Sequence, residues 1–187
     1  MCMIDSPDEG NFFIEPYGTG TTLAGAICTP GTFYQRIAET DWCTATYNNL
    51  WTGKHVGRGD VDDGPMLIKT VYDPSPVGYK VPASAAFSAF DSDCGVNAPR
   101  EKFNVEGEYD NGWYFYAKPQ KQGNAYFFPA CGYRRNTGKR VVSGRYHTAI
   151  SRDSDYSYGF TFYDSYVSHY GYDSRSCGRS VRPVHEP

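Results

Sequence analysis

Two aromatic runs, Gly112-Trp113-Tyr114-Phe115-Tyr116-Ala117 and Ala125-Tyr126-Phe127-Phe128-Pro129, stand on either side of the turn-rich segment Pro119 to Gly123. Large aromatic residues fit a pleated, half-buried surface, so the pair predicts an antiparallel hairpin. Further along, Phe160 and Phe162 alternate with Thr161 and Tyr163, the period of two that a strand with one buried face requires. Tyr158 shares that parity and is open to facing inward with them. Ser180-Val181-Arg182-Pro183-Val184 reads as the closing strand. The core is therefore built on sheets, and the 20 glycines and 12 prolines leave little room for long helices.

The N-terminal third of the chain gives weaker signals. Phe12, Phe13, Ile14 and Tyr17 anchor a first strand or two, and Thr29-Pro30-Gly31 starts a short amphipathic helix over Phe33 to Ala38, with Phe33 and Ile37 four apart. Residues 52–65 are a loop dense in Gly and Asp, and Met66 to Tyr72 is a strand candidate. Asp73-Pro74-Ser75-Pro76-Val77-Gly78 is a rigid loop, because each proline fixes its own φ and biases its predecessor to extended geometry. Ala83 to Phe90 is a second short helix, with Ser84 as its cap and Phe87 and Phe90 on its buried face. Two short helices, several short antiparallel strands and much irregular loop define an α+β class. A length of 187 residues suits one domain over 1–187, within which no motif assigns residues 1–64.

Net charge −3 argues against a nucleic-acid partner, which needs a basic face. No run approaches the roughly 20 apolar residues of a bilayer span, so direct membrane insertion is not expected. The start, Met1-Cys2-Met3-Ile4-Asp5, lacks the basic and apolar regions of a signal peptide.

Residues 145–180 are compositionally unlike the rest. They hold seven Tyr, eight Ser, four Asp, four Arg and two His, and no Lys, Glu, Gln, Trp or Met. Tyrosine buries a large amphipathic face for the loss of two χ angles, while Ser, Gly and Asp adapt their hydrogen bonds to a partner. Their Asp and Arg residues interrupt any core pattern, since charges are rarely buried unpaired. We take this stretch as a ligand-binding surface. Its contact residues are expected to be Tyr146, His147, Arg152, Asp153, Asp155, Tyr156, Tyr163, Asp164, Tyr166, Ser168, His169, Tyr170, Tyr172, Asp173 and Arg175. Phe160, Phe162, Val167 and Val181 belong to the core instead.

Three further segments carry a resemblance. They are Lys69-Thr70-Val71-Tyr72-Asp73-Pro74-Ser75-Pro76-Val77-Gly78-Tyr79-Lys80-Val81-Pro82, Phe127-Phe128-Pro129-Ala130-Cys131-Gly132-Tyr133-Arg134, and Gly178-Arg179-Ser180-Val181-Arg182-Pro183-Val184. In order and spacing they resemble the C-type-lectin-like fold of the formylglycine-generating-enzyme type, closest to the variable proteins of diversity-generating retroelements and related Bacteroidetes-type surface adhesins. The resemblance spans roughly residues 65–187. Ser75 stands where a cysteine is common, so no bridge starts there. The resemblance implies a display protein diversified by adenine-directed mutagenesis of Asn codons. Randomising the adenines of such a codon yields fifteen residue types, and the five it cannot yield are all among the types absent from 145–180. The implied partner is a protein or glycan on a target cell surface, the implied location extracellular, cell-surface or virion-borne, and the oligomeric state is left open. Two alternatives stand beside it: a fixed-specificity adhesin or pilus-tip domain, and a cysteine-dependent oxidase.

Other motifs are weaker. Arg58-Gly59-Asp60 has the integrin-binding form, but tripeptides recur by chance. Asp60, Asp62 and Asp63 lack the distal glutamate of an EF-hand loop. Six dispersed cysteines without a C-x-x-C pair argue against zinc and leave free thiols and one or two disulfides equally open. No metal, cofactor or catalytic residue is expected.

Overall fold

A computed structural model describes residues 13–14, 20–34, 41–53, 67–91, 97–135 and 140–186. Most of its regular structure is antiparallel strand. The predicted hairpin is present as β5 (Gly112–Lys118) and β6 (Gln122–Pro129), with Val105–Glu106 (β4) on the free edge of β5. Its turn places Gln120 and Lys121 in the left-handed region, with φ of 58° and 56°. Side chains tolerate that region poorly, and Asn104 braces the turn by accepting from Lys121 N at 2.8 Å and donating to the carbonyls of Tyr116 and Lys118. Gly112 has φ +119°, and a Cβ there would overlap the Phe128 carbonyl, so only glycine opens this strand.

The second three-stranded sheet runs β9 (Gly144–Ser151), β10 (Tyr156–Tyr163) and β11 (Tyr166–Ser174), in the order β11-β10-β9. Its register sets Phe160 opposite Tyr146 and Phe162 opposite Gly144. These inward residues meet Trp113, Phe115 and Phe128 of the first sheet, and Phe87 of the 3-10 helix Ser84–Phe90, in one aromatic core. Phe162 lies 5.6 Å from Trp113 and 5.1 Å from Phe115, and Phe160 stacks on Phe87 at 4.9 Å. Such ring pairs add about 0.5–1.5 kcal/mol beyond their area burial. Tyr158 does face inward, into a second cluster with Leu67, Val81, Ala83, Ala149 and Ile150.

The three motif segments meet in space. Tyr79–Lys80 (β3) pairs with Val184–His185 (β12), and Arg134, at the end of β7 (Tyr133–Arg134), bridges to Gly178. Arg182 donates to the Phe127 carbonyl and lies 4.3 Å above the Phe128 ring. Asp73 explains the proline loop: Oδ1 accepts from Ser75 N at 2.8 Å and Oδ2 from Val81 N at 2.9 Å.

The remaining elements are small. Strands β1 (Phe13–Ile14) and β2 (Thr32–Phe33) pair in parallel around helix α1 (Leu23–Cys28), and β7 pairs with β8 (Arg140–Val141).

Several expectations are corrected. Phe33 is in a strand rather than opening a helix, and residues 35–38 of that helix lie outside the described residues. Met66 also lies outside them, and the rest of the Met66–Tyr72 strand reduces to one bridge, Lys69 with Thr52. Lys69 Nζ turns into the following loop and donates to the carbonyls of Ser75, Pro76 and Tyr79. Ser84 does not cap its helix. Ala83 holds that position, and Ser84 Oγ is buried 3.3 Å from Thr148 Oγ1. The Arg-Gly-Asp tripeptide and Asp62 and Asp63 lie outside the described residues. The cysteines, whose state the sequence leaves open, are free at Cys28, Cys43, Cys131 and Cys177, while Cys2 and Cys94 lie outside the described residues.

Candidate ligand-binding cleft

Because Tyr146, Phe160 and Phe162 point to the core, the alternate residues Arg145, Thr161 and Tyr163 stand on the opposite face of the sheet. There they line a cleft of about 510 Å³ with Arg152, Tyr158, Tyr166, Tyr170, Gly171, Tyr172 and Asp173. Five tyrosines and two arginines thus surround one concavity. Six of the residues singled out by composition converge on it: Arg152, Tyr163, Tyr166, Tyr170, Tyr172 and Asp173.

The cleft is held in shape by contacts among its own walls. Tyr163 and Tyr166 flank the β10–β11 turn and stack at 4.8 Å with their planes 7° apart. Burial, and then the neighbouring Tyr166, raises the Tyr163 phenol above its ordinary pKa. Arg152 lies over the Tyr172 ring at 3.6 Å, a cation–π contact, and Tyr172 meets Tyr156 edge-on at 5.6 Å. On the floor, Asp173 pairs with Arg145 and lies 3.5 Å from the Arg179 guanidinium.

Arg179 is fully buried and donates to the Ser157 carbonyl at 3.4 Å. Burial pulls its pKa below the usual arginine range, though it stays charged at neutral pH. A Cβ at Gly159 would overlap the guanidinium and the Tyr146 carbonyl, so the glycine lets the arginine lie flat on β10. Asp173 is therefore the counter-ion that two guanidiniums share, as well as a wall of the cleft. Thr161 Oγ1 is buried without a partner, a further polar group in the lining.

Three other expected residues sit at exposed turns outside the cleft. Asp153 Oδ1 accepts from Asp155 N and Tyr156 N, closing the β9–β10 turn, while Asp164 is exposed in the β10–β11 turn. Tyr156 is half-buried behind Tyr172.

Of the five remaining expected contacts, Tyr146, Ser168 and His169 are corrected to buried positions, and His147 and Arg175 lie outside this cleft. Tyr146 is 3% exposed; its hydroxyl donates to the Pro129 carbonyl at 2.6 Å and its ring stacks on Phe162. Ser168 is 1% exposed and accepts from Tyr170 N. His169 is 8% exposed, with Nδ1 2.9 Å from Asp91 Oδ2, which also accepts from the His169 backbone. His147 packs edge-on against Trp51 at 5.2 Å, with Nδ1 buried. Burial first, and the charge of Arg179 second, lower its pKa to about 3, so the imidazole is neutral at physiological pH. Arg175 ties down the N-terminal segment, donating to the Tyr47 carbonyl, to Asn48 Oδ1 at 2.6 Å and to the Ser154 carbonyl. The register explains the first error: Tyr146 opposes Phe160 and must share its face. Tyr170 does line the cleft, but it is also half-buried against the second core cluster and touches the His169 ring at 4.5 Å.

The sequence reading missed Arg145, Thr161 and Gly171. Thr161 was recoverable from its alternation with Phe160 and Phe162. Arg145 needed the pairing with β10, and Gly171 is small because the Thr161 side chain fills the space beside it.

Among the described residues no group of three or more His, Cys, Asp or Glu is arranged to hold a metal, and no helix is long and apolar enough to cross a membrane. No family model, curated protein or solved structure matches this chain.

Proposed function

We propose that this chain is a ligand-binding display protein of the C-type-lectin-like type, and that its recognition surface is the tyrosine–arginine cleft on β10 and β11. The observation that carries the reading is convergence. Six of the fifteen residues chosen because their types suit recognition line one concavity, while the phenylalanines of the same strands fill the core. Tyrosine and arginine are the residues most often found at binding hot spots. A cleft of this size suits a glycan or a protruding protein loop better than a flat protein face.

Diversification by adenine-directed mutagenesis, as in retroelement variable proteins, fits the same geometry. Every cleft residue is of a type that a randomised Asn codon yields, and a rigid aromatic core beneath lets the outward side chains change without loss of fold. Such a protein works outside the cell, on a cell or virion surface, against a protein or glycan target.

The test is an array of glycans and cell-surface proteins probed with the wild type and with Tyr172→Ala. Tyr172 is 51% exposed, so its truncation spares the core. Any target of the cleft should lose at least about tenfold in affinity, the effect of a single hot spot of roughly 1.4 kcal/mol or more. The melting temperature should stay unchanged. A target bound equally well by both proteins contradicts the cleft as the site.

A further inference from the structure

A second cavity, of about 290 Å³, lies between the N-terminal segment and residues of β9 and β10 and the 175–178 turn. It shares no lining residue with the cleft. Its walls are largely aromatic and aliphatic, with Trp42, Trp51, Tyr34 and Ile150 among them. The polar groups set into those walls are unusual. Among the described residues nine buried side-chain nitrogen and oxygen atoms lack a protein partner, and four of them belong to residues that line this one cavity: Asp41 Oδ2, His147 Nδ1, Ser157 Oγ and Ser176 Oγ. Buried polar groups are ordinarily paired, so a cluster of exceptions points to a partner from outside the chain. Ser176 is 2% exposed, which puts at least one of these groups deep in the fold.

Their chemistry says what the partner carries. Asp41 Oδ2 is the oxygen left over, since Oδ1 takes Trp42 N at 2.9 Å and Cys43 N at 3.4 Å, and an ionised carboxylate only accepts. The imidazole of His147 is neutral, and the serine hydroxyls serve in either role. Arg175, which also lines the wall, spends three of its five donors on the Tyr47 and Ser154 carbonyls and on Asn48 Oδ1. The one charged group left without a partner among the four is thus a carboxylate oxygen, set beside hydroxyls that adapt to it and walled by rings whose faces attract cations. The volume is about twice the ~150 Å³ cavity that takes up benzene.

We infer that this cavity binds a small organic amine with an aromatic or otherwise apolar body, its ammonium held by Asp41. This binding is independent of the cleft and of whatever the cleft recognises.

Calorimetric titration of the full chain with 2-phenylethylamine, 2-phenylethanol and 3-phenylpropionate tests the inference. The amine should bind one-to-one with sub-millimolar affinity, at least tenfold tighter than the alcohol or the acid, and should shift the ring signals of Trp51 and His147 in NMR spectra. Asp41→Asn keeps the Oδ1 acceptor and presents an N–H to the ammonium, so amine affinity should fall at least tenfold. Tyr172→Ala should leave it unchanged. The inference is overturned by absence of amine binding at millimolar concentration, by equal binding of the alcohol, by ring signals that do not move, by an Asp41→Asn protein that binds as well as the wild type, or by loss of amine binding in Tyr172→Ala.

Discussion

Phe162→Ala is expected to lower the free energy of unfolding by about 3–5 kcal/mol, the range for truncating a fully buried phenylalanine. The upper half of that range is expected here because the space left behind cannot close. Trp113, Phe115, Tyr146 and Phe160 surround the ring, and each is itself buried and held by further aromatic contacts. The fifth wall is backbone: Gly144 lies so close against Phe162 that a Cβ there would overlap the ring. Rings and backbone do not flow into a void as flexible aliphatic chains do, so the lost contacts are not replaced. For a domain of this size the melting temperature should drop by roughly 10 °C. Urea denaturation measures the effect, and a loss below about 1.5 kcal/mol would mean that the two sheets do not pack through this residue.

The second large effect is a dependence on acid. The folded chain holds His147 neutral with a pKa of about 3, against 6.5 for an unperturbed imidazole, chiefly through burial and then through Arg179. Between those values the unfolded chain binds a proton that the folded chain refuses. Stability from this group is therefore fully present above pH 6.5 and falls as the pH drops towards 3. At 1.36 kcal/mol per unit, the contribution lost by pH 4 is about 3 kcal/mol. Carboxylates titrate in the same range, so the informative comparison is with His147→Gln, which stays neutral throughout. The wild type should lose about 2–3 kcal/mol more than the variant between about pH 7 and pH 4. Parallel stability curves would show that the ring is not buried in the folded protein.

What the sequence made legible follows from local rules. The β5–β6 hairpin was visible because each strand is an unbroken aromatic run and the turn residues stand between them. The inward pair Phe160 and Phe162 was visible because a period of two needs only a few residues to declare itself, and the same period left Tyr158 open. The tyrosine face was visible from composition alone.

What stayed hidden depends on contacts distant in sequence. Strand β9 reads Gly-Arg-Tyr-His-Thr-Ala-Ile-Ser and has no large apolar repeat, so nothing local shows that Tyr146 is a core residue; its pairing with Phe160 does. Arg175 and His147 were read as surface because charged and polar residues usually are. Tyr47 and Asn48 engage the first and Trp51 the second, from a stretch of chain that shows no period. Arg179 is the extreme case. A fully buried arginine contradicts the composition rule, and only Gly159 beneath it and Asp173 beside it make the burial tolerable.

The central claim is that the outward face of β10 and β11 is a recognition surface free to vary over an invariant core. Deep sequencing of the 3′ end of the gene across a population that carries it tests this most directly. The account predicts substitutions clustered in codons for about residues 145–177, arising at template adenines. They should fall on Tyr163, Tyr166 and Tyr172 and spare Phe160, Phe162 and Asp173, the counter-ion of the buried Arg179. A window as invariant as Phe127 to Arg134 would contradict it, and the chain would then be a binding protein of one fixed specificity.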